Sequence, residues 1–264
     1  MSELPKRDPT NRPWQSMLRE APLAQGWLAS RTRAGLDRGT AVALLIATAP
    51  VIALTALLVR LTSRGPAFYV QTRVGRGGRL FRIYKLRTMG HNCEAHSGAC
   101  WSKPGDTRIT RLGRFLRATH LDELPQLWNV LRGDMSLVGP RPERPELIPY
   151  LAANVEGYVH RLAVRPGVTG LAQLWLPADT GLDSVRQKLA QDLHYVRTAG
   201  PWNDGVLILC TALKVFGGVS LWLCRSLGVA PAPDRDAPAR VEDAAILGDI
   251  ADLAVGSSVT RKLA

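Results

Sequence analysis

Twenty consecutive residues, Thr40 to Val59, carry no charge, and a chain holding such a stretch must bury it in a large core or in lipid. At 1.5 Å per helical residue it covers about 30 Å, the depth of a bilayer's hydrocarbon core. Its polar side chains are Thr40, Thr48 and Thr55, and a helix apolar on all faces is no surface helix of a soluble domain. A cleaved signal would have a shorter apolar region nearer the start, so the stretch reads as a membrane segment. Pro50 lacks an N–H, and its ring crowds the carbonyl of Ile46, which predicts a kink or break there. Arg31, Arg33 and Arg38 precede the segment and Arg60 and Arg64 follow it. With both ends basic, the positive-inside rule keeps both on one side, so residues 39–64 are expected to enter, turn at Ala49-Pro50 and return as a re-entrant helix. A tilted full span is the alternative.

The distribution of charge narrows the partner. The chain has 34 Lys and Arg against 22 Asp and Glu, a net +12. Between Arg60 and His120 thirteen bases face only Glu94 and Asp106. An excess so concentrated favours a local anionic partner: lipid headgroups, a nucleotide diphosphate or nucleic acid. Within this stretch, Phe68 to Thr88 places aromatic and β-branched residues on either side of Gly75 to Gly78, the pattern of a β-hairpin. Its bases, placed just after the membrane segment, favour lipid or phosphate contact over a merely solvated strand. Neither GxxxxGK[ST] nor GxGxxG after a strand is present, which excludes the common nucleotide-binding folds. Cys93, Cys100, Cys210 and Cys224 are too sparse for a disulfide framework and suggest a reducing compartment. His91, Cys93, His96 and Cys100 match no common zinc spacing and read as a loop.

Two helices follow. Asp106 to Arg117 spaces Ile109, Leu112, Phe115 and Leu116 at helical intervals among arginines, an amphipathic helix with a basic face. Leu124, Leu127, Trp128 and Leu131 define the next, and Gly133 ends it. Pro125 is tolerated only in a first turn, so Asp122 and Glu123 stand at the helix start, where unpaired N–H groups favour anions. Arg117 and Arg141 converge on the same segment. Two carboxylates beside phosphates repel them, and a divalent cation such as Mg²⁺ held by Asp122 and Glu123 relieves that repulsion.

KLRTM (Lys85 to Met89), LDELPQLWNVLRGDMSLVGPRP (Leu121 to Pro142), VRPGVTGLAQ (Val164 to Gln173) and DLHYV (Asp192 to Val196) together resemble the bacterial sugar transferase family, the monotopic phosphoglycosyl transferases, in its minimal single-membrane-segment form. The resemblance runs from about Arg38 to Gly228. It implies transfer of a sugar-1-phosphate from a UDP-sugar to a membrane polyprenyl (undecaprenyl) phosphate, giving polyprenyl diphosphate-sugar and UMP. That is the initiating step of exopolysaccharide, O-antigen or glycoconjugate assembly. By the same resemblance Asp122 is the nucleophile that forms a covalent aspartyl-phosphosugar, Glu123 assists it, and Mg²⁺ is the cofactor. Lys85, Arg87, Arg117, Arg141, Arg165 and Asp192 are the implied substrate or phosphate contacts. The implied location is the bacterial inner membrane with the site facing the cytoplasm. Neighbours on an α-helix point about 100° apart, so Glu123 does not automatically share the target of Asp122. The chain departs from the family pattern at His120, where a small hydroxyl residue is usual, and at Leu174-Trp175-Leu176, which replaces a polar Gly-Arg element.

Val206 to Leu223 is largely apolar, with Lys214 its one charge. A mid-span lysine costs about 2.5–3.5 kcal/mol, so an interfacial helix with Lys214 snorkelling to the headgroups is preferred to a span. The expected class is α+β and mostly helical, a membrane-associated monotopic enzyme with a re-entrant helix, a hairpin and interfacial helices. Its expected divisions are a basic segment at 1–38, the membrane helix at 39–64, a cytosolic transferase domain at 65–228, and a linker and tail at 229–264. The expected partners are UDP-sugar, polyprenyl phosphate and anionic lipid, without nucleic acid, and homo-oligomerisation is left open. A basic membrane-surface or nucleic-acid-binding protein without catalysis is the alternative.

Overall fold

The computed structural model of the chain describes residues 26–93, 105–177, 181–215, 221–229 and 231. His96, Cys100 and nearly all of the 229–264 tail lie outside them. The uncharged segment lies within one helix, α1 (Arg31–Thr62), capped by the Ser30 hydroxyl, which accepts from Arg33 N–H at 3.1 Å. It starts inside the stretch assigned to the basic segment, and its helical run includes Pro50. By length and composition it is apolar and long enough to cross a membrane. Only Arg33, Asp37, Ala41, Thr55 and Val59 of it are buried, whereas Ile46, Leu54, Leu57 and Leu61 are exposed. Thr48 and Thr55 donate their hydroxyls to the carbonyls of Leu44 and Val51, each at 2.6 Å, so neither hydroxyl needs water.

The hairpin forms as its glycines require. β1 (Phe68–Val74) pairs antiparallel with β2 (Leu80–Leu86), Phe68 opposite Leu86 and Val74 opposite Leu80. Gly77 and Gly78 take φ of 63° and 75° in the turn, values a β-carbon disfavours. The basic helix is shorter than its pattern, α2 (Arg111–Ala118), because the Thr110 hydroxyl accepts from Gly113 N–H at 2.9 Å and so starts it there. Phe115 is exposed beside its arginines, not buried with Leu116.

The acidic motif does not open an α-helix directly. Leu121–Gln126 is a 3₁₀ helix, with Pro125 inside it, and α3 (Leu127–Arg132) begins only afterwards, ending at Gly133 with φ 81°. A proline inside a helical turn cannot donate to the ladder, which favours the tighter local bonding. Then come β3 (Ser136–Val138), α4 (Ile148–Asn154), a 3₁₀ helix (Tyr158–Ala163) and β4 (Gly167–Thr169), which pairs parallel with β3. A β-carbon at Gly167 would lie 2.1 Å from Gly139 N, so the two backbones meet where no side chain fits. The chain continues through α5 (Leu171–Trp175), α6 (Leu182–Thr198), α7 (Pro201–Val215) and α8 (Leu221–Ser226).

The main core gathers Ile83 of β2, Leu127 and Val130 of α3, Leu137 of β3, Leu174 of α5, Tyr195 of α6 and Leu207 of α7. A second cluster packs Val74 against α4 and α6, and a small third seats Val59 and Ala67 on Leu116. Of the apolar run at 206–223, residues 206–215 lie in α7 and residues 221–223 in α8, and Lys214 does not snorkel: its ammonium donates to the carbonyls of Gln173 (3.3 Å) and Leu174 (2.9 Å) at the end of α5. Carbonyls left over at a helix terminus attract a cation. Cys210 and Cys224, expected to be separate thiols, form a disulfide between α7 and α8, their Cα atoms 6.3 Å apart.

Candidate active site

Asp122 and Glu123 occupy the first turn of the 3₁₀ helix, entered through His120 at φ 57°, a left-handed conformation uncommon for a residue other than glycine. With about three residues per turn, their side chains diverge by about 120°. Glu123 turns to a pair of cations: Oε1 accepts from Lys85 Nζ at 2.7 Å and from Arg141 Nη2 at 2.6 Å. Burial works against its charge, but Arg141 and Lys85 hold the carboxyl well below the ordinary glutamate range. Burial in turn lowers Lys85 below the ordinary lysine value, against the pull of Glu123.

Asp122 is the contrasting member. It is buried, and among the described residues its carboxylate takes no hydrogen bond or ion pair. Burial, reinforced by the charge on Glu123, pushes its carboxyl up to about 6, while Lys85, Arg117 and Arg141 pull the other way. The arrangement thus pairs a fully engaged glutamate with a bare aspartate in a field of three cations. A desolvated carboxylate with no partner is the more nucleophilic of the two.

Each cation is fixed by the fold. Lys85 projects from β2, which is held to α3 by Asn129: the buried carboxamide donates to Arg82 C=O at 2.7 Å and accepts from Tyr84 N–H at 3.2 Å. Arg117, in the last turn of α2, donates from Nε to the Thr88 hydroxyl at 2.9 Å. That helix sits directly on the strand end, since a β-carbon at Gly113 would lie 2.0 Å from Thr88 O. Arg141 follows β3, and its backbone carbonyl accepts from Arg161 Nη2 at 2.9 Å.

Of the sequence-derived contacts, Lys85, Arg117 and Arg141 surround the two acids and three others lie elsewhere. Arg87 donates to the Ser63 and Arg64 carbonyls and to the Ser63 hydroxyl, closing the C-terminus of α1. Arg165 shares its electrostatic surroundings with Arg76, Arg38 and Asp37, not with Asp122. Asp192 pairs with Arg161 at 2.7 Å, so it reaches the site through Arg161 and Arg141. Arg161 and Asn129 were missed. Arg161 lies outside the motif stretches, and Asn129, though inside one, looks in sequence like any polar residue of an amphipathic helix.

For a metal, the described residues hold no group of three potential ligands. Asp122 is open to a cation, and Glu123 is already neutralised. Mg²⁺ fits such a donor set when phosphate oxygens and water complete its six positions, as it commonly binds.

A family model of bacterial sugar transferases matches residues 28–218. Among similar curated proteins, a UDP-glucose:undecaprenyl-phosphate glucose-1-phosphate transferase of Caulobacter vibrioides is 48% identical over 178 residues, 67% of this chain and 66% of the relative. A UDP-N-acetylgalactosamine-undecaprenyl-phosphate N-acetylgalactosaminephosphotransferase of Aeromonas hydrophila is 40% identical over 184 residues, 70% of this chain and 43% of the relative. An undecaprenyl-phosphate glucose phosphotransferase of Komagataeibacter xylinus is 39% identical over 203 residues, 74% and 37% of the two. The chain therefore spans between about a third and two thirds of these relatives.

Proposed function

We propose, on the premise that this chain belongs to the bacterial sugar transferase family, that it transfers a sugar-1-phosphate from a UDP-sugar to a polyprenyl phosphate at a membrane surface. The observation that carries this reading is the bare, buried Asp122 beside a Glu123 saturated by Lys85 and Arg141. An Asp122 carboxylate oxygen attacks the β-phosphorus, the bond to the bridging oxygen breaks, and UMP leaves with that electron pair. A phosphate oxygen of the polyprenyl acceptor then attacks the same phosphorus, and Asp122 leaves as carboxylate. Two displacements replace one difficult one.

Throughout, Lys85, Arg117 and Arg141 face the equatorial phosphate oxygens, where fixed cations are most effective. Glu123 keeps Lys85 and Arg141 in place. Mg²⁺, held by Asp122 or Glu123 together with the diphosphate, would supply further neutralisation of phosphate charge. The apolar exterior of α1 seats the protein in the bilayer, which brings a lipid phosphate and a soluble nucleotide to one carboxylate. The bacterial inner membrane, with the site on its cytoplasmic side, is the compartment where both substrates meet.

A panel of UDP-sugars with undecaprenyl phosphate in detergent, scored for UMP with and without Mg²⁺, tests the reading. Release from at least one donor, abolished in Asp122→Asn, is expected. A labelled phosphosugar trapped on Asp122 would identify the intermediate, and no release from any donor overturns the assignment.

A further inference from the structure

Arg33 stands in the first turn of α1, yet its side chain is only 5% exposed. Its Nη2 lies 2.9 Å from Ser136 Oγ, 2.7 Å from Val138 O and 2.8 Å from the Tyr195 hydroxyl. Its Nε is 3.2 Å from Asp204 Oδ2. Asp204 is itself held by Trp27 Nε1 at 2.8 Å and by the Tyr195 hydroxyl at 2.7 Å. One turn along α1, Asp37 accepts from the Ser136 hydroxyl at 2.8 Å and from Leu137 N–H at 3.2 Å. All three residues of β3 are therefore gripped from the membrane helix, within a cluster whose ions are buried.

What β3 carries makes this grip consequential. The strand runs directly into Gly139, Pro140, Arg141 and Pro142, where two fixed proline φ angles leave little slack. Gly139 N–H donates to Thr169 O at 2.9 Å, tying the exit to β4. Three residues beyond Val138, Arg141 bonds Glu123 at 2.6 Å. We propose that Arg33 is a positioning residue: acting through β3, it fixes where Arg141 meets Glu123, so one buried cluster sets both the seat of α1 and the geometry of the site. A buried ion pair is a poor source of net stability, and what this one supplies is geometry: Nη2 holds three oxygens, while Nε faces Asp204 as an ion pair without a hydrogen bond. Only a guanidinium fork reaches β3, Tyr195 and Asp204 together, whereas a lysine keeps the charge and loses the fork.

The proposal rests on the reaction proposed above, and a double-mutant cycle on the full chain in detergent tests it. Arg33→Lys should lower kcat for UMP release about tenfold with little change in the KM for UDP-sugar, and Arg141→Ala about a hundredfold. If Arg33 acts through Arg141, the double variant is no slower than Arg141→Ala within about threefold. Losses that multiply to about a thousandfold, or an unimpaired Arg33→Lys, overturn the proposal. Asp37→Asn, which loosens β3 while leaving the Arg33–Asp204 pair, replaces Arg33→Lys in the cycle if that variant does not fold. Hydrogen exchange reads the coupling without turnover: residues 136–142 should exchange faster in either variant while the Phe68–Leu86 hairpin is unchanged. Unchanged exchange at 136–142 overturns the positioning role even if the parent chain released no UMP, a result that would by itself count against the reaction alone.

Discussion

Burial and the charge on Glu123 lift the Asp122 carboxyl to about 6, so at pH 5 the site holds mostly a neutral acid where the chemistry needs an anion. Glu123, held well below its ordinary range, does not titrate there. The rate of UMP release should therefore fall about tenfold per pH unit below pH 6, as a single ionisation requires, and a pH–rate profile checks this. The same shift acts on stability. The folded carboxyl titrates above its unfolded value of about 3.9, so its destabilising contribution is full above pH 6, shrinks as the pH falls, and vanishes below about pH 4. Asp122→Asn removes it and should stabilise the fold by up to about 3 kcal/mol at pH 8 and by almost nothing at pH 4, read from apparent Tm in detergent. An inactive variant with an unchanged Tm at pH 8 would contradict the buried, partnerless state of this carboxylate. Glu123→Gln should instead destabilise, because it leaves Lys85 and Arg141 facing each other without an anion.

At the scale of elements, the site depends on how β2, α3 and β3 are locked. Asn129→Leu would leave the part-buried Arg82 C=O and Tyr84 N–H without these partners, which should cost about 1–3 kcal/mol of stability and lower the Tm measurably. Gly167→Ala has no room at all and should force β4 from Gly139, lowering activity as well as Tm. These elements also mark what the sequence could reveal. The hairpin was legible because seven-residue strands flank glycines, and α1 because no charge interrupts its segment. β3 and β4 were not, since three residues cannot display an alternation. The 3₁₀ helix was misread as an α-helix start because the i, i+3, i+4 apolar spacing cannot distinguish the two over one turn. For Arg87, Asp192 and Lys214, type and motif signalled a polar role, but the choice between ligand, neighbouring ion and helix terminus depends on contacts distant in sequence.

On the membrane seating proposed above, the exposed apolar side chains of α1 and both of its ends decide how the whole molecule meets a bilayer. Leu36 and Leu61, exposed near opposite ends of the helix, offer a test when each is replaced by cysteine in a background with both Cys93 and Cys100 changed to serine. A re-entrant α1 predicts that a membrane-impermeant maleimide labels both from the same side of sealed vesicles, and labelling from opposite sides would establish a span. Confinement to such a surface has a further consequence for β2. Proteins held in a plane meet at high local concentration, and a two-stranded sheet offers an unpaired margin on which a neighbour's strand could add. Asn129 occupies that margin with a single carboxamide, taking the donor and acceptor an incoming strand would need. With the 3₁₀ helix and α3 packed over the same margin, this carboxamide completes the cover of the strand that carries Lys85, and its loss should be felt as association between copies as well as lowered stability.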